Sequence, residues 1–272
     1  MHSMLFRVVI LILSTIAPRG GLEVPRAYEA HRATNPIEVD GILTDLEWSA
    51  APWTEDFVDI VGGESPSPPL RTRARLLWDD QYLYVGAELQ EPHLWATLLD
   101  RDAIIYHDDD FEVFLDPEGD GLDYFEIEVN ALGVVLDLSL DKPYSQGGKA
   151  NIGWDIAGLE TGVSLLGTLN DTSDQDRGWF VELAIPWTGL ASSGGPPKTG
   201  ESWRINFSRV DWPLEVADGT YRKREVPTRE RPHPESNWVW SPQGSVNMHL
   251  PEKWGVVRFV LDRQNSFFDP GT

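Results

Sequence analysis

Residues 108–140 read DDDFEVFLDPEGDGLDYFEIEVNALGVVLDLSL. Apolar residues recur at every second position through FEVFLD (111–116) and YFEIEVN (124–130), and GVVLDLSL (133–140) continues as a near-apolar run. A period of two is the mark of a strand with one face buried. The segments between them, EGDG (118–121) and LG (132–133), are rich in residues suited to tight turns. Three short strands in 33 residues leave no room for crossover helices, so neighbours are expected to pair antiparallel.

The same pattern extends outward in both directions. RTRARLLW (71–78) and YLYVGAEL (82–89) precede the stretch. VSLLGTL (163–169), GWFVELAIP (178–186), SWRINFSRV (202–210) and WGVVRFVL (254–261) follow it. Many short strands with turn signals between them indicate an all-β fold, an antiparallel β-sandwich of jelly-roll or immunoglobulin-like type. One short N-terminal helix is expected where Thr44, Asp45, Leu46 and Glu47 form a capping box ahead of Trp48, with Pro52 ending it. Residues 22–33 read as a linker, 34–262 as the sandwich and 263–272 as a tail.

The bulk composition narrows the function. Forty-four acidic and 22 basic residues give a formal charge of -22, which repels phosphate backbones and anionic lipid, so neither nucleic acid nor membrane insertion is expected. Residues 1–21, MHSMLFRVVILILSTIAPRGG, carry an apolar run too short to span a bilayer and fit a signal peptide. A secreted or periplasmic location follows. No cysteine is present, so an exported fold must rest on its core, with a bound cation as the other expected support.

Nucleophilic and zinc chemistry lack their parts: there is no cysteine, no G-x-S-x-G elbow, and six histidines are scattered without ligand spacing. Carboxylates are abundant. Asp109 and Glu112 could serve as the acid and base of a glycoside hydrolase, whose two carboxyl groups flank the scissile bond. The turn DPEGDGLD (116–123) places Asp116, Glu118, Asp120 and Asp123 around glycines, as a Ca2+ loop does. A plain solvated acidic turn explains the same residues. Twelve tryptophans offer flat apolar faces; Trp48, Trp78, Trp179 and Trp203 sit on apolar strand or helix faces and are expected in the core.

Seven landmarks occur in order: IEVDGILTDLEW (37–48), LLWDDQYLYVGAEL (76–89), DDDFEVFLDP (108–117), FEIEVNALGVVLDL (125–138), GWFVELAIPW (178–187), WRINFSRV (203–210) and WSPQGSVNMHLPEKWG (240–255). This series resembles the family 9 carbohydrate-binding modules and their stand-alone relatives. The resemblance implies a β-sandwich that binds a saccharide or polysaccharide chain end between two aromatics, with calcium known in the family. Transferred to this chain, it implies a ligand site of Tyr106, Glu112, Asn237 and Trp240, and a role in carbohydrate catabolism beside a partner glycosidase. Trp238 lies two residues before Trp240, and only one of the two is expected to face outward. The pattern departs at Glu128, which stands where the binders carry an arginine.

Overall fold

The structure, a computed structural model, describes residues 24–63, 65–190, 194–224 and 233–261. The segment expected to be a signal peptide lies outside the described residues, as does the tail. The described residues form fifteen strands. They are β1 (Ala27–Arg32), β2 (Val58–Asp59), β3 (Thr72–Trp78), β4 (Tyr82–Leu89) and β5 (Asp110–Asp116). Next come β6 (Tyr124–Asn130), β7 (Val135–Leu140), β8 (Ala150–Asn151), β9 (Glu160–Leu165) and β10 (Trp179–Pro186). The last are β11 (Ser202–Asp211), β12 (Leu214–Ala217), β13 (Thr220–Lys223), β14 (Ser236–Val239) and β15 (Gly255–Val260).

Thirteen strands make one curled sheet in the order β8-β7-β6-β5-β11-β15-β1-β3-β4-β10-β9, with β14 joined at β11 and β2 at β14. β12 and β13 form a separate hairpin. The alternation seen in the sequence decides what the curl encloses. Phe111, Val113 and Leu115 of β5 pack in one core with Phe125, Ile127 and Val129 of β6. From the far half of the sheet, Val85, Val181 and Leu183 join the same cluster. Burying such residues removes roughly 25 cal/mol of unfavourable hydration per Å² of apolar surface, the main force closing the sheet on itself.

Three expectations need correction. The stretch 22–33 is no linker, because residues 27–32 form β1 near the middle of the sheet, with Ala30 buried. Its composition, AYEAHR, lacks β-branched residues, so tertiary pairing overrides propensity there. The sheet is also mixed, since β1 runs parallel to both β15 and β3. Finally, the N-terminal helix is a single 3-10 turn, Leu46–Ala50, without a side-chain cap. Glu47 accepts hydrogen bonds from Asn35 Nδ2 and Thr34 Oγ1 instead of capping, and Arg75 Nη1 takes the Trp48 carbonyl.

One buried carboxylate ties two of the sequence landmarks together. Glu182 of β10 accepts the backbone N–H groups of Asp40 and Gly41 at 3.1 and 3.0 Å, and the Trp48 indole N–H at 2.7 Å. Gly41 has φ +79°, and a Cβ there would lie 2.7 Å from the Val163 backbone, so only glycine fits the turn. The acid of WFVELAIP thereby holds the DGILTDLEW loop against the sheet.

Candidate functional site

The outer face of β5–β6–β7 is unlike the inner one. Asp110, Glu112, Phe114 and Asp116 alternate outward on β5, and Tyr124, Glu126, Glu128 and Asn130 on β6; all eight are buried. In the ladder Glu112 pairs directly with Glu128, and Phe114 with Glu126. Like charges in opposed positions repel. Part of this face is covered by a second apolar cluster that includes Phe114, Leu136, Leu138, Met248 and Trp254. The uncovered part is the floor of a cavity of about 450 Å³.

Tyr106, Glu112 and Asn237, chosen from the sequence, all line this cavity. Tyr106 sits on a 3-10 turn, Ile105–His107, and is 42% exposed. The turn is braced on two sides. Tyr106 N–H donates to Glu128 Oε2 at 2.8 Å, and Trp212 Nε1–H donates to the Tyr106 carbonyl at 2.8 Å. The residue standing in the arginine's place therefore holds the aromatic turn in position. Tyr144 and His249 also line the cavity and are in edge-to-face contact at 4.4 Å between centroids; Tyr144 is 47% exposed. Neither was singled out from the sequence: Tyr144 lies in an irregular turn with no strand period, and His249 looked like one scattered histidine among six.

Trp240 lies elsewhere. It is 0% exposed, packs edge-on to Tyr28 and beside Phe207, and donates its indole N–H to Glu55 Oε2. Trp238 is also in the core. The physical reason is the period of two: residues two apart share a face, so Trp238 and Trp240 point inward together and Asn237 points outward.

The aspartate run divides by role. Asp108 accepts hydrogen bonds from Thr97 N, Thr97 Oγ1, Leu98 N and Asn130 Nδ2, which makes it a loop staple. Asp109 accepts the Trp212 N–H at 2.7 Å and groups with Glu91 and Asp211 around Arg209. It does not line the cavity. The proposed catalytic pair is thus separated, since Glu112 belongs to another group, with Asp110 and Glu128.

Of the residues expected to form a Ca2+ loop, Asp116 and Asp120 are engaged with the backbone of their own turn. Asp116 is fully buried and accepts the N–H groups of Gly119 and Gly121, while Asp120 accepts that of Leu122. Among the described residues three acidic groups bring ligand oxygens within 4.8 Å, and Asp116, Asp120 and Asp123 are not one of them. The Asp116 and Asp120 carboxylates close the turn on its own backbone.

Electrostatically the cavity floor favours protons or a cation. Burial pushes Glu112 up to about 7; burial and then the Glu112 charge push Glu128 up to about 8. Asp110 and Glu126 are raised well above the carboxylate range by burial and by these same neighbours. His249 is driven down to about 4 by burial, so it is neutral above that pH and does not offset the acids.

Comparison with known proteins agrees with this architecture. The model of the "Carbohydrate family 9 binding domain-like" family matches residues 39–222. Exoglucanase XynX of Acetivibrio thermocellus is 27% identical over 157 residues, and endo-1,4-beta-xylanase A of Thermoanaerobacterium saccharolyticum 31% over 157 residues; each alignment covers 58% of this chain. The matched region spans only 12% and 11% of those enzymes. A family 9 carbohydrate-binding module from Caldicellulosiruptor kristjanssonii, solved with cellotriose, superimposes at TM-score 0.56 with 18% identity, covering 91% of this chain and 100% of that one. A putative carbohydrate-binding protein from Bacteroides uniformis gives 0.61 with 16% identity, covering 87% and 100%. The family match lies in a binding domain rather than a catalytic one, and it takes in two thirds of the sequence: the chain belongs to the carbohydrate family 9 binding domain-like family.

Proposed function

We propose that the cavity between the Tyr106 and Tyr144 turns binds the end of a saccharide chain without altering it. The observation that carries this reading is one concave site with two half-exposed tyrosines above a polar floor of Glu112, Glu128 and Asn237. A sugar ring has apolar C–H faces that pack on aromatic surfaces, and hydroxyls that need paired acceptors and donors. Both are present within one cavity, and its size is within the range of small-molecule sites. The family membership and the cellotriose- and glucose-bound structures of similar fold support a saccharide over other small ligands. In this reading the curled sheet works as a two-leaved sandwich, with the site on the outer face of one leaf. The protein acts outside the cytoplasm, in keeping with the apolar run within residues 8–17, and beside a glycosidase, since the matched region occurs within an exoglucanase and a xylanase.

The test is titration calorimetry against a panel of mono- and oligosaccharides. Tyr106→Ala and Tyr144→Ala should each weaken binding by about tenfold, corresponding to roughly 1–2 kcal/mol of lost ring packing. Both side chains are half-exposed, so melting temperatures should stay within a few degrees of the parent. If neither substitution changes the affinity for a sugar that binds, the site lies elsewhere.

A further inference from the structure

Three acidic groups converge in this protein, and two of them contain their own cation. Arg209 pairs with Glu91 and Asp211 beside Asp109, and Arg101 pairs with Asp137 and Asp155 beside Asp102. The third group, Asp110, Glu112 and Glu128, is fully buried apart from its opening to the cavity and has no basic partner among the described residues. Asp110 Oδ1 accepts the Val210 N–H at 3.1 Å, but Asp110 Oδ2 is buried without any hydrogen-bond partner. A buried carboxylate oxygen left unsatisfied is costly unless it takes up a proton or a donor arrives from outside the chain. No Lys or Arg lines the cavity among the described residues.

Resting on the saccharide-binding reading above, we propose that this site selects an amino sugar, seating its protonated amine between Glu112 and Glu128 with Asp110 behind them. An ammonium offers three N–H donors and no acceptor, which matches three convergent carboxyl groups that give up their protons as the positive charge enters. A divalent cation suits the group less well. Ca2+ takes six to eight oxygens, whereas here one oxygen each of Asp110 and Glu128 already accepts a backbone N–H. The tyrosines and the apolar wall of Leu136 and Leu138 then take the ring. Glu128 links the two functions, because it holds the Tyr106 turn through one oxygen and faces the ligand's charge with the other.

The experiment compares glucose, glucosamine and N-acetylglucosamine, together with the matching chitosan and cello-oligosaccharides, at pH 7 in EDTA. Glucosamine and its oligomers should bind at least about tenfold tighter than the uncharged sugars, the difference a charge-assisted hydrogen bond makes. Glu128→Gln, which keeps an acceptor for Tyr106 N–H, should erase that preference by weakening the charged sugars at least about tenfold more than the neutral ones. Equal affinity for charged and neutral sugars overturns the inference and leaves the saccharide reading standing. Neutral-sugar binding that requires added Ca2+ and is abolished by EDTA also overturns it, assigning the acid group to a metal. Binding of no sugar in the panel overturns both readings together.

Discussion

Trp240→Ala should destabilise the fold by about 3–5 kcal/mol, the range for emptying a large aromatic site in a packed core. For a domain of this size that lowers the melting temperature by roughly 10 °C or more. The ring is completely buried, contacts Tyr28 and Phe207, and hydrogen-bonds Glu55 through its indole N–H. It also lies over Gly255, where a Cβ would come within 2.2 Å of the ring, so the strand β15 backbone is shaped to receive it. Truncation leaves a cavity bounded by backbone that cannot collapse into it. Affinity for sugar, measured well below the lowered melting point, should change by less than about threefold, because uncoupled positions behave additively. A variant that melts like the parent but has lost its ligand would place Trp240 in the site after all.

How far the sequence could be read depended on which physical signal each residue carried. The period of two in β5, β6 and β10 is strong, and those strands appear where the alternation put them. β1 was missed because AYEAHR has neither β-branched residues nor a hydrophobic run; its strand comes from pairing between β15 and β3. Tyr106, Glu112 and Asn237 meet in one cavity, although 131 positions separate the first from the last. Trp240 could have been placed inward from spacing alone. Asn237 and Trp240 are three apart in an extended segment, so both cannot face one ligand. The role of Glu128 was hidden for a different reason. As a substitution it reads as loss of an arginine, and only the fold shows its oxygen on the Tyr106 amide. Glu182 was equally opaque, since nothing local indicates that a strand carboxylate reaches a loop some 140 residues earlier.

Stability should fall as pH rises from about 4.5 to 8, opposite to the usual loss of carboxylate proteins in acid. Burial holds Glu112 at about 7 and Glu128 at about 8, against an ordinary value of 4.5. Between 4.5 and 8 the folded state therefore binds more protons than the unfolded chain, and stability decreases with pH throughout that window. The contribution is complete below 4.5 and lost above 8. His249 acts in the other direction: its imidazole is held at about 4 instead of 6.5, so acid stabilises the unfolded chain through it. Below pH 6.5 one histidine opposes two glutamates, so it shallows the slope without reversing it, leaving the maximum melting temperature near pH 4.5–5 and a decline of roughly 5–10 °C by pH 9. The surrounding groups sharpen the decline. Asp110 and Glu126 share the face and are raised in the same sense, and Tyr106 and Tyr144 are the only other titratable side chains the described cavity wall adds besides His233 and Glu235. Glu128→Gln removes one of two opposed charges in the ladder and should raise the melting temperature at pH 9 while leaving it nearly unchanged at pH 5. Thermal melts of the two proteins across pH 5–9, with EDTA present, read this directly. A flat profile for the parent in EDTA would mean that the floor acids titrate in the ordinary carboxylate range and need no neutralising charge. A profile that flattens only when glucosamine is added would mean that the ligand brings it.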